Sequence, residues 1–495
     1  MIILAFDLGA SSYRAVVAEI DETEKRVKLL NTYRWSNQII RVGENLYWDL
    51  LKIWDDMKKT IKSVYRIYGE RLYSVGVDSW GVDFVLLDST GELIGLPHAY
   101  RDPRTIEAVE KISEKISREE LYRLTGIQFM RINTIYHLYA MRLRNDPKLS
   151  VANRFLMIPD LFHYWLSKLD LVEYTNASTT QLLDPWRKKW LFELIERLDL
   201  PRHIFPEIFE AGDLKQDLRK DLVDELEIRE QIQVVPPATH DTASAVAAAP
   251  MISEDVAYIS SGTWSLIGVE IKQPIINELG YRYNFTNEGG VFGTIRFLKN
   301  VQGMWIIEEI RRVVKEESGN ELTYEEISKL ISSTERPRVF IDPDHENFIS
   351  PQNMVEAIRN YLKKTDQDYT VGLGEIIVGV YYSLAMKYRY VIELIERLVG
   401  KRINAINIIG GGARNSELNQ LISDISRRRV YAGPYEATSI GNILMQAKGL
   451  DVIKSLNELR EYVRNSVEIN IFEIRKEDEY EDLYDKFLKK LNLEK

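Results

Sequence analysis

The feature that most constrains the fold is a strand–turn–strand pattern that opens each half of the chain. Residues 2–6 are uniformly apolar, Gly9-Ala10-Ser11-Ser12 forms a hydroxyl-rich turn, and residues 15–20 resume an apolar run. The pattern returns with an apolar stretch at 256–260, a turn at Ser261-Gly262-Thr263, and a second stretch at 264–271. Short apolar runs bounded by turn residues read as buried strands. Residue identity between the two hairpins is slight, so the repetition is one of structure and not of sequence.

Between the hairpins, residues 48–68 have helical spacing, with Leu51, Trp54, Ile61, Val64 and Ile67 expected on one side. Strands follow at Val75-Gly76-Val77 and at 84–87, and residues 105–200 read mainly as helix. Val234-Val235-Pro236-Pro237 is extended, because proline excludes a helix there. The small residues from Ala243 to Ala249 then favour a closely packed helix. Further on, residues 403–409 alternate like a strand, meet Gly410-Gly411-Gly412, and give way to helical periodicity over 415–427. The last forty residues are charged and helical. Strands interleaved with helices over 495 residues predict an α/β protein of more than one domain.

Composition narrows the function classes. The formal charge of −10 disfavours nucleic acid as the main partner, since phosphate backbones require a basic face. The longest basic run, Arg427-Arg428-Arg429, is short and reads as a solvated helix end. The chain has no cysteine, which excludes disulfides, thiol nucleophiles and cysteine-ligated metals. Its 6 histidines are scattered, with no paired zinc spacing. No basic leader precedes the first apolar run, and no run approaches the ~20 residues of a membrane span, so the expectation is a cytoplasmic protein.

Three segments carry candidate chemistry, and each has a plainer alternative. Asp7-Leu8-Gly9-Ala10-Ser11-Ser12 places a carboxylate at a strand end beside serine and backbone donors. That arrangement suits a magnesium nucleotide, with Asp7 holding Mg²⁺ through water; it also suits an ordinary hairpin. Gly410-Gly411-Gly412 lets backbone approach a flat ligand, or simply turns a strand into a helix. It is neither a Walker A loop nor a dinucleotide fingerprint, because Asn415 stands where the third glycine would be. Asp241 stands at a helix start, where the macrodipole should keep it ionised and able to accept a proton; an N-cap role is the alternative. His240 reads as a structural hydrogen-bonder, and Trp80, Trp264 and Trp305 as core residues rather than sugar platforms.

Taken together, these segments resemble the FGGY family of carbohydrate kinases. The resemblance runs through Asp7-Leu8-Gly9-Ala10-Ser11-Ser12, Gly76-Val77-Asp78-Ser79-Trp80-Gly81-Val82-Asp83, Ala99-Tyr100-Arg101-Asp102 and Tyr174-Thr175-Asn176-Ala177. It continues through His240-Asp241-Thr242, Ser260-Ser261-Gly262-Thr263-Trp264, Thr286-Asn287-Glu288-Gly289-Gly290, Leu298-Lys299-Asn300 and Gly410-Gly411-Gly412. It implies an α/β fold of two ribonuclease-H-like (actin-like ATPase) domains flanking a catalytic cleft. Residues 1–245 are the expected sugar-binding domain, 246–450 the nucleotide-binding domain, and 451–495 a helical extension of the second.

The implied reaction uses ATP and Mg²⁺ to phosphorylate the C1 hydroxyl of a ketose such as L-rhamnulose. L-fuculose or L-xylulose is the nearest alternative substrate, and a non-catalytic sugar sensor or ATPase the alternative of a different class. Carried over by position, Asp241 is the proton acceptor, and Gly81, His240, Thr242 and Asn300 contact the sugar. Ala10, Ser11, Ser12, Tyr13, Arg14, Thr263, Glu308 and Gly411 fall where the family binds ATP. Two positions depart from the pattern: Tyr13 replaces a usual glycine and would narrow the phosphate turn, and Glu308 replaces a usual glutamine. The expected partners are the sugar and ATP, with neither nucleic acid nor membrane; a homo-oligomer is left open.

Overall fold

The computed structural model describes residues 1–494 except 252, 254, 335, 350, 477 and 478. By contact density the chain divides into two units that alternate along it. The first comprises Met1–Pro250, Glu270–Phe297 and Ala437–Val467; the second comprises Met251–Val269, Leu298–Glu436 and Glu468–Lys495.

In the first unit, β1 (Ile2–Leu8) and β2 (Ser12–Asp21) form the expected hairpin, and β3 (Arg26–Ser36) continues it. Every residue of β1 is buried, so both its faces are covered and it reads as a continuous apolar run rather than an alternation. Gly9 is required at the turn, because a Cβ there would lie 2.6 Å from the Ser12 carbonyl oxygen.

Helix α1 (Leu50–Tyr68) starts at Asp49, whose side chain accepts from the Lys52 amide, and buries Leu50, Ile53, Met57, Ile61 and Val64. Ile61 and Val64 are buried as expected and Trp54 packs partly against the core, whereas Leu51 and Ile67, at the two ends of the expected face, are each 60% exposed. The line that begins at Leu51 is interrupted by Lys58 and Lys62, whereas the line from Leu50 stays apolar for the length of the helix. Strand β4 (Leu72–Ser79) runs parallel to β1 and aligns Asp78 with Asp7. With β5 (Gln216–Asp217) and β6 (Gln233–Val234) the sheet order is β5-β6-β4-β1-β2-β3. The proline-bearing segment then leads into α2 (Asp241–Ala247), all of whose residues after Asp241 are buried.

The second unit repeats the plan. Its hairpin is β7 (Val256–Ser261) and β8 (Trp264–Ile271), followed by β9 (Ile295–Gln302), α3 (Trp305–Ser318) and α4 (Leu373–Val399). The end of β8 from Glu270 and the start of β9 up to Phe297 belong to the first unit. Next come β10 (Ala405–Ile409), α5 (Ser416–Ser426) and β11 (Arg429–Ala432). Helix α6 (Ala437–Gly449) belongs to the first unit, and β12 (Asn470–Phe472) returns to the second. The sheet contains the run β9-β8-β7-β10-β11-β12. In each unit the opening strand has its hairpin partner antiparallel on one side and a later strand parallel on the other. Among the described residues no helix is long and apolar enough to cross a membrane.

Candidate active site

Three backbone segments of the first unit meet around Asp241: the end of β1, the end of β4 and the start of α2. The Trp80 amide donates to the Leu8 carbonyl at 3.2 Å, and the Ser79 amide to the Thr239 carbonyl at 2.9 Å. The loop that presents Asp241 is braced from behind. Glu173 is fully buried and accepts from the Thr239 amide and hydroxyl, both at 2.9 Å; Thr175 Oγ1 accepts from the His240 amide at 3.2 Å, and Asn176 donates to the Thr239 carbonyl at 3.2 Å. Through Thr175 and Asn176, the Tyr174-Thr175-Asn176-Ala177 motif is thus a clamp on the loop that carries Asp241.

Gly81 lies against His240, since a Cβ at this position would sit 3.3 Å from His240 Nε2 and 3.1 Å from the Thr179 side chain. Thr242 Oγ1 donates to Asp241 Oδ1 at 3.1 Å. The structure therefore brings Gly81, His240, Asp241 and Thr242 together.

The electrostatics of this corner are set by carboxylates. Asp7 is almost fully buried, accepts from Arg14 Nε at 2.7 Å and Ser439 Oγ at 3.1 Å, and neighbours Asp78 across the β1–β4 ladder. Burial, then the Asp7 charge, push the Asp78 carboxyl well above the usual range, although Asn442 donates to its Oδ2 at 2.6 Å. Asp241 is pushed up to about 7 by the same causes, burial first and Asp7 second. The macrodipole of the short α2 does not keep it in the ordinary carboxylate range, which corrects the expectation from its position at the helix start. Its side chain remains 30% exposed, so a ligand can reach it.

The turn Ala10 to Arg14 gives Arg14 to Asp7, while Tyr13 points to the other face of β2. There its ring stacks on Trp35 with centroids 5.2 Å apart, and its hydroxyl meets Asp56 and accepts from Lys52 at 2.7 Å. Ser12 is exposed at the edge of the turn.

In the second unit, the Gly262 and Thr263 carbonyls accept from Met304 and Trp305 at 3.2 and 3.3 Å, tying the β7–β8 turn to the start of α3. The three glycines have separate reasons. Gly410 has φ +81, and a Cβ at Gly412 would lie 2.0 Å from Ser261 Oγ; at Gly411 a Cβ would meet nothing within 4 Å. Gly411 is thus the one whose absent side chain no contact of the fold requires. Glu308, on the first turn of α3, pairs with Arg311 at 2.8 Å and accepts from Tyr324, so its charge is balanced locally. Asn300 is half-buried on β9.

Sequence reasoning gave no role to Arg296, Glu288, Asp78, Ser439 or Asn442. The last two lie on α6 at i and i+3, facing the carboxylates, a polar spacing that could have been read as a helix face turned to a polar site.

Family models for the FGGY carbohydrate kinases match almost the whole chain, the N-terminal domain over residues 2–248 and the C-terminal domain over 257–450. The chain belongs to the FGGY family of carbohydrate kinases. It is 40% identical over 469 residues to a rhamnulokinase of Halalkalibacterium halodurans, covering 94% of this chain and 97% of that protein. It is 38% identical over 472 residues to a rhamnulokinase of Bacillus subtilis, covering 95% of each. The crystal structure of gluconate kinase from Lactobacillus acidophilus superposes with a TM-score of 0.82 at 15% identity, covering 99% of this chain and 97% of that one. The α/β, two-domain, actin-like architecture expected from the sequence holds.

Proposed function

We propose that this chain transfers the γ-phosphoryl group of ATP to the C1 hydroxyl of L-rhamnulose, giving L-rhamnulose 1-phosphate and ADP. The observation that carries the reading is Asp241, a carboxylate enclosed beside Gly81, His240 and Thr242, still reachable, and pushed up to about 7. A base tuned near neutrality combines a populated anion with real proton affinity. Its presence in a chain this similar to rhamnulokinases supports the same substrate.

In this reading Asp241 takes the proton of the C1 hydroxyl as that oxygen bonds to the γ-phosphorus and the bond to the β-phosphate oxygen breaks, releasing ADP. Gly81, His240, Thr242 and Asn300 contact the sugar. Ala10, Ser11, Ser12, Tyr13, Arg14, Thr263, Glu308 and Gly411 are the proposed nucleotide contacts. Backbone would supply the contact at Tyr13 and Glu308, whose side chains are engaged elsewhere.

The first unit's carboxylates fit Mg²⁺. Asp7, Asp78 and Asp241 interact electrostatically, and Asp78 Oδ1 is buried with no hydrogen-bond partner among the described residues. No three described His, Cys, Asp or Glu side chains form a ready-made cage, and Mg²⁺ needs none, because it retains water and phosphate oxygens as ligands. Asp7 would hold it through water, and when bound the ion supplies charge neutralisation for the phosphates. A kinase that draws on ATP suits the cytoplasm.

Phosphorus NMR of the product from L-rhamnulose and ATP tests substrate and position together. A primary phosphate ester coupled to two C1 protons is expected. Phosphorylation of another hydroxyl, or turnover of L-fuculose or L-xylulose in preference, would overturn the assignment.

A further inference from the structure

Arg296 is the largest charged side chain among the fully buried residues, and its partners are specific. Its Nε donates to the Gly289 carbonyl at 2.8 Å, its Nη2 lies 3.2 Å from Glu288 Oε2, and the same Nη2 lies 2.9 Å from His240 Nδ1. A guanidinium has five donors and no acceptor. At 2.9 Å, His240 Nδ1 must therefore present its lone pair to Arg296, and Glu288 Oε2, at 3.6 Å, is too far to claim a proton from that nitrogen. Burial, and then the Arg296 charge, hold the His240 ring well below its usual pKa, so it is neutral and carries one proton. That proton belongs to Nε2, the nitrogen that lies 3.5 Å from Asp241 Oδ1 and beside Gly81.

We propose that Arg296 is a positioning residue that locks His240 in the Nε2–H tautomer, so that the ring faces the phosphate-accepting sugar only as a hydrogen-bond donor. The consequence concerns proton traffic. In the opposite tautomer Nε2 would offer a lone pair beside Asp241 and compete for the hydroxyl proton. With Arg296 on Nδ1 the ring can donate to a sugar oxygen, and Asp241 is left as the acceptor. Glu288 in turn orients Arg296 and balances its charge. This extends the proposed reaction, and it rests on that reading for the sugar and for Asp241 as the proton acceptor, whereas the tautomer itself does not.

Two measurements test it. Nitrogen-15 NMR of histidine-labelled protein without sugar, with the His240 signal assigned through His240→Gln, should show a neutral ring with the proton on Nε2. An Nδ1–H ring, or an imidazolium at pH 7, would overturn the proposal, and neither result depends on which sugar is phosphorylated. The second is a double-mutant cycle. Glutamine at 240 can still offer an amide donor and has no tautomers. Arg296→Met should lower kcat/KM roughly tenfold in the wild-type background and much less in the His240→Gln background. Arg296→Lys, which keeps a donor, should recover part of the loss. Equal losses in both backgrounds would reduce Arg296 to a packing role. If the Met variant fails to fold, the Lys variant and the NMR measurement on the unmodified protein still decide the matter. Loss of the proposed base function would show separately, as normal turnover in Asp241→Asn with the His240 tautomer unchanged.

Discussion

Asp241 shows how a residue's neighbours outweigh its local position. At the head of a long exposed helix a carboxylate is stabilised as the anion by a few tenths to about 1 kcal/mol. Here the helix has 7 residues, and burial together with the Asp7 charge acts in the opposite direction and prevails. Because a general base works only when deprotonated, kcat/KM should rise with pH through a limb centred near 7 and then level off. A pH profile of kcat/KM checks this: a limb centred near 4 would show that Asp241 keeps an ordinary carboxylate pKa, and a limb that survives in Asp241→Asn would exclude it as the titrating group. Asp241→Asn should cost at least ~10² in kcat, as general bases do, while nucleotide affinity measured by calorimetry stays close to wild type. Asp241 and His240 were legible because they sit in a motif; Arg296 was not. It is one of 65 Lys and Arg residues, in no recognisable pattern, and only the three-dimensional arrangement gives it three partners in the core.

At the scale of elements, both hairpins were legible because strands covered on both faces leave uninterrupted apolar runs. The face of α1 was legible in its middle, at Ile61 and Val64, and wrong at its ends, Leu51 and Ile67, because two partly apolar lines share that helix and only tertiary packing selects between them. The short strand Asn470–Phe472 was missed; its residues are polar or partly exposed, and it exists by pairing with β11 at the sheet edge.

Glycines separate structural from ligand-facing roles. A Cβ at Gly441 on α6 would lie 1.8 Å from the Ser244 carbonyl oxygen of α2, so these helices pack backbone to backbone. Gly441→Ala should force them apart and cost about 1–3 kcal/mol, seen as a lower denaturant midpoint. Gly411→Ala has open space and should change stability by less than about 0.5 kcal/mol. If Gly411 touches the nucleotide as proposed, the same change should raise the KM for ATP about tenfold, a loss near 1.4 kcal/mol of binding. An unchanged KM would remove Gly411 from the nucleotide site.

On the scale of the whole molecule, the chain builds the same sheet plan twice, yet its units are not consecutive stretches of sequence. Ala437–Val467 returns to the first unit after most of the second has been formed. No local signal in the amino-acid sequence announces such a return. Its physical basis is the polar face of α6, where Ser439 meets Asp7, Asn442 meets Asp78, and Gln446 meets Ser74 and the Leu4 carbonyl. These partners exist only once β1 and β4 lie side by side.

The architecture alone does not choose a substrate, since a gluconate kinase shares it at 15% identity. Water competes with the sugar hydroxyl as a phosphoryl acceptor in any such site. A base enclosed beside a histidine that only donates is arranged for a sugar hydroxyl held in one orientation, and water, which no such contacts hold, should react poorly. ADP release without sugar should therefore be at least ~10²-fold slower than with saturating L-rhamnulose. Continuous coupled measurement of ADP, with and without the ketose, gives the ratio directly. Hydrolysis at a comparable rate in both conditions would instead identify an ATPase whose sugar acts only as a modulator.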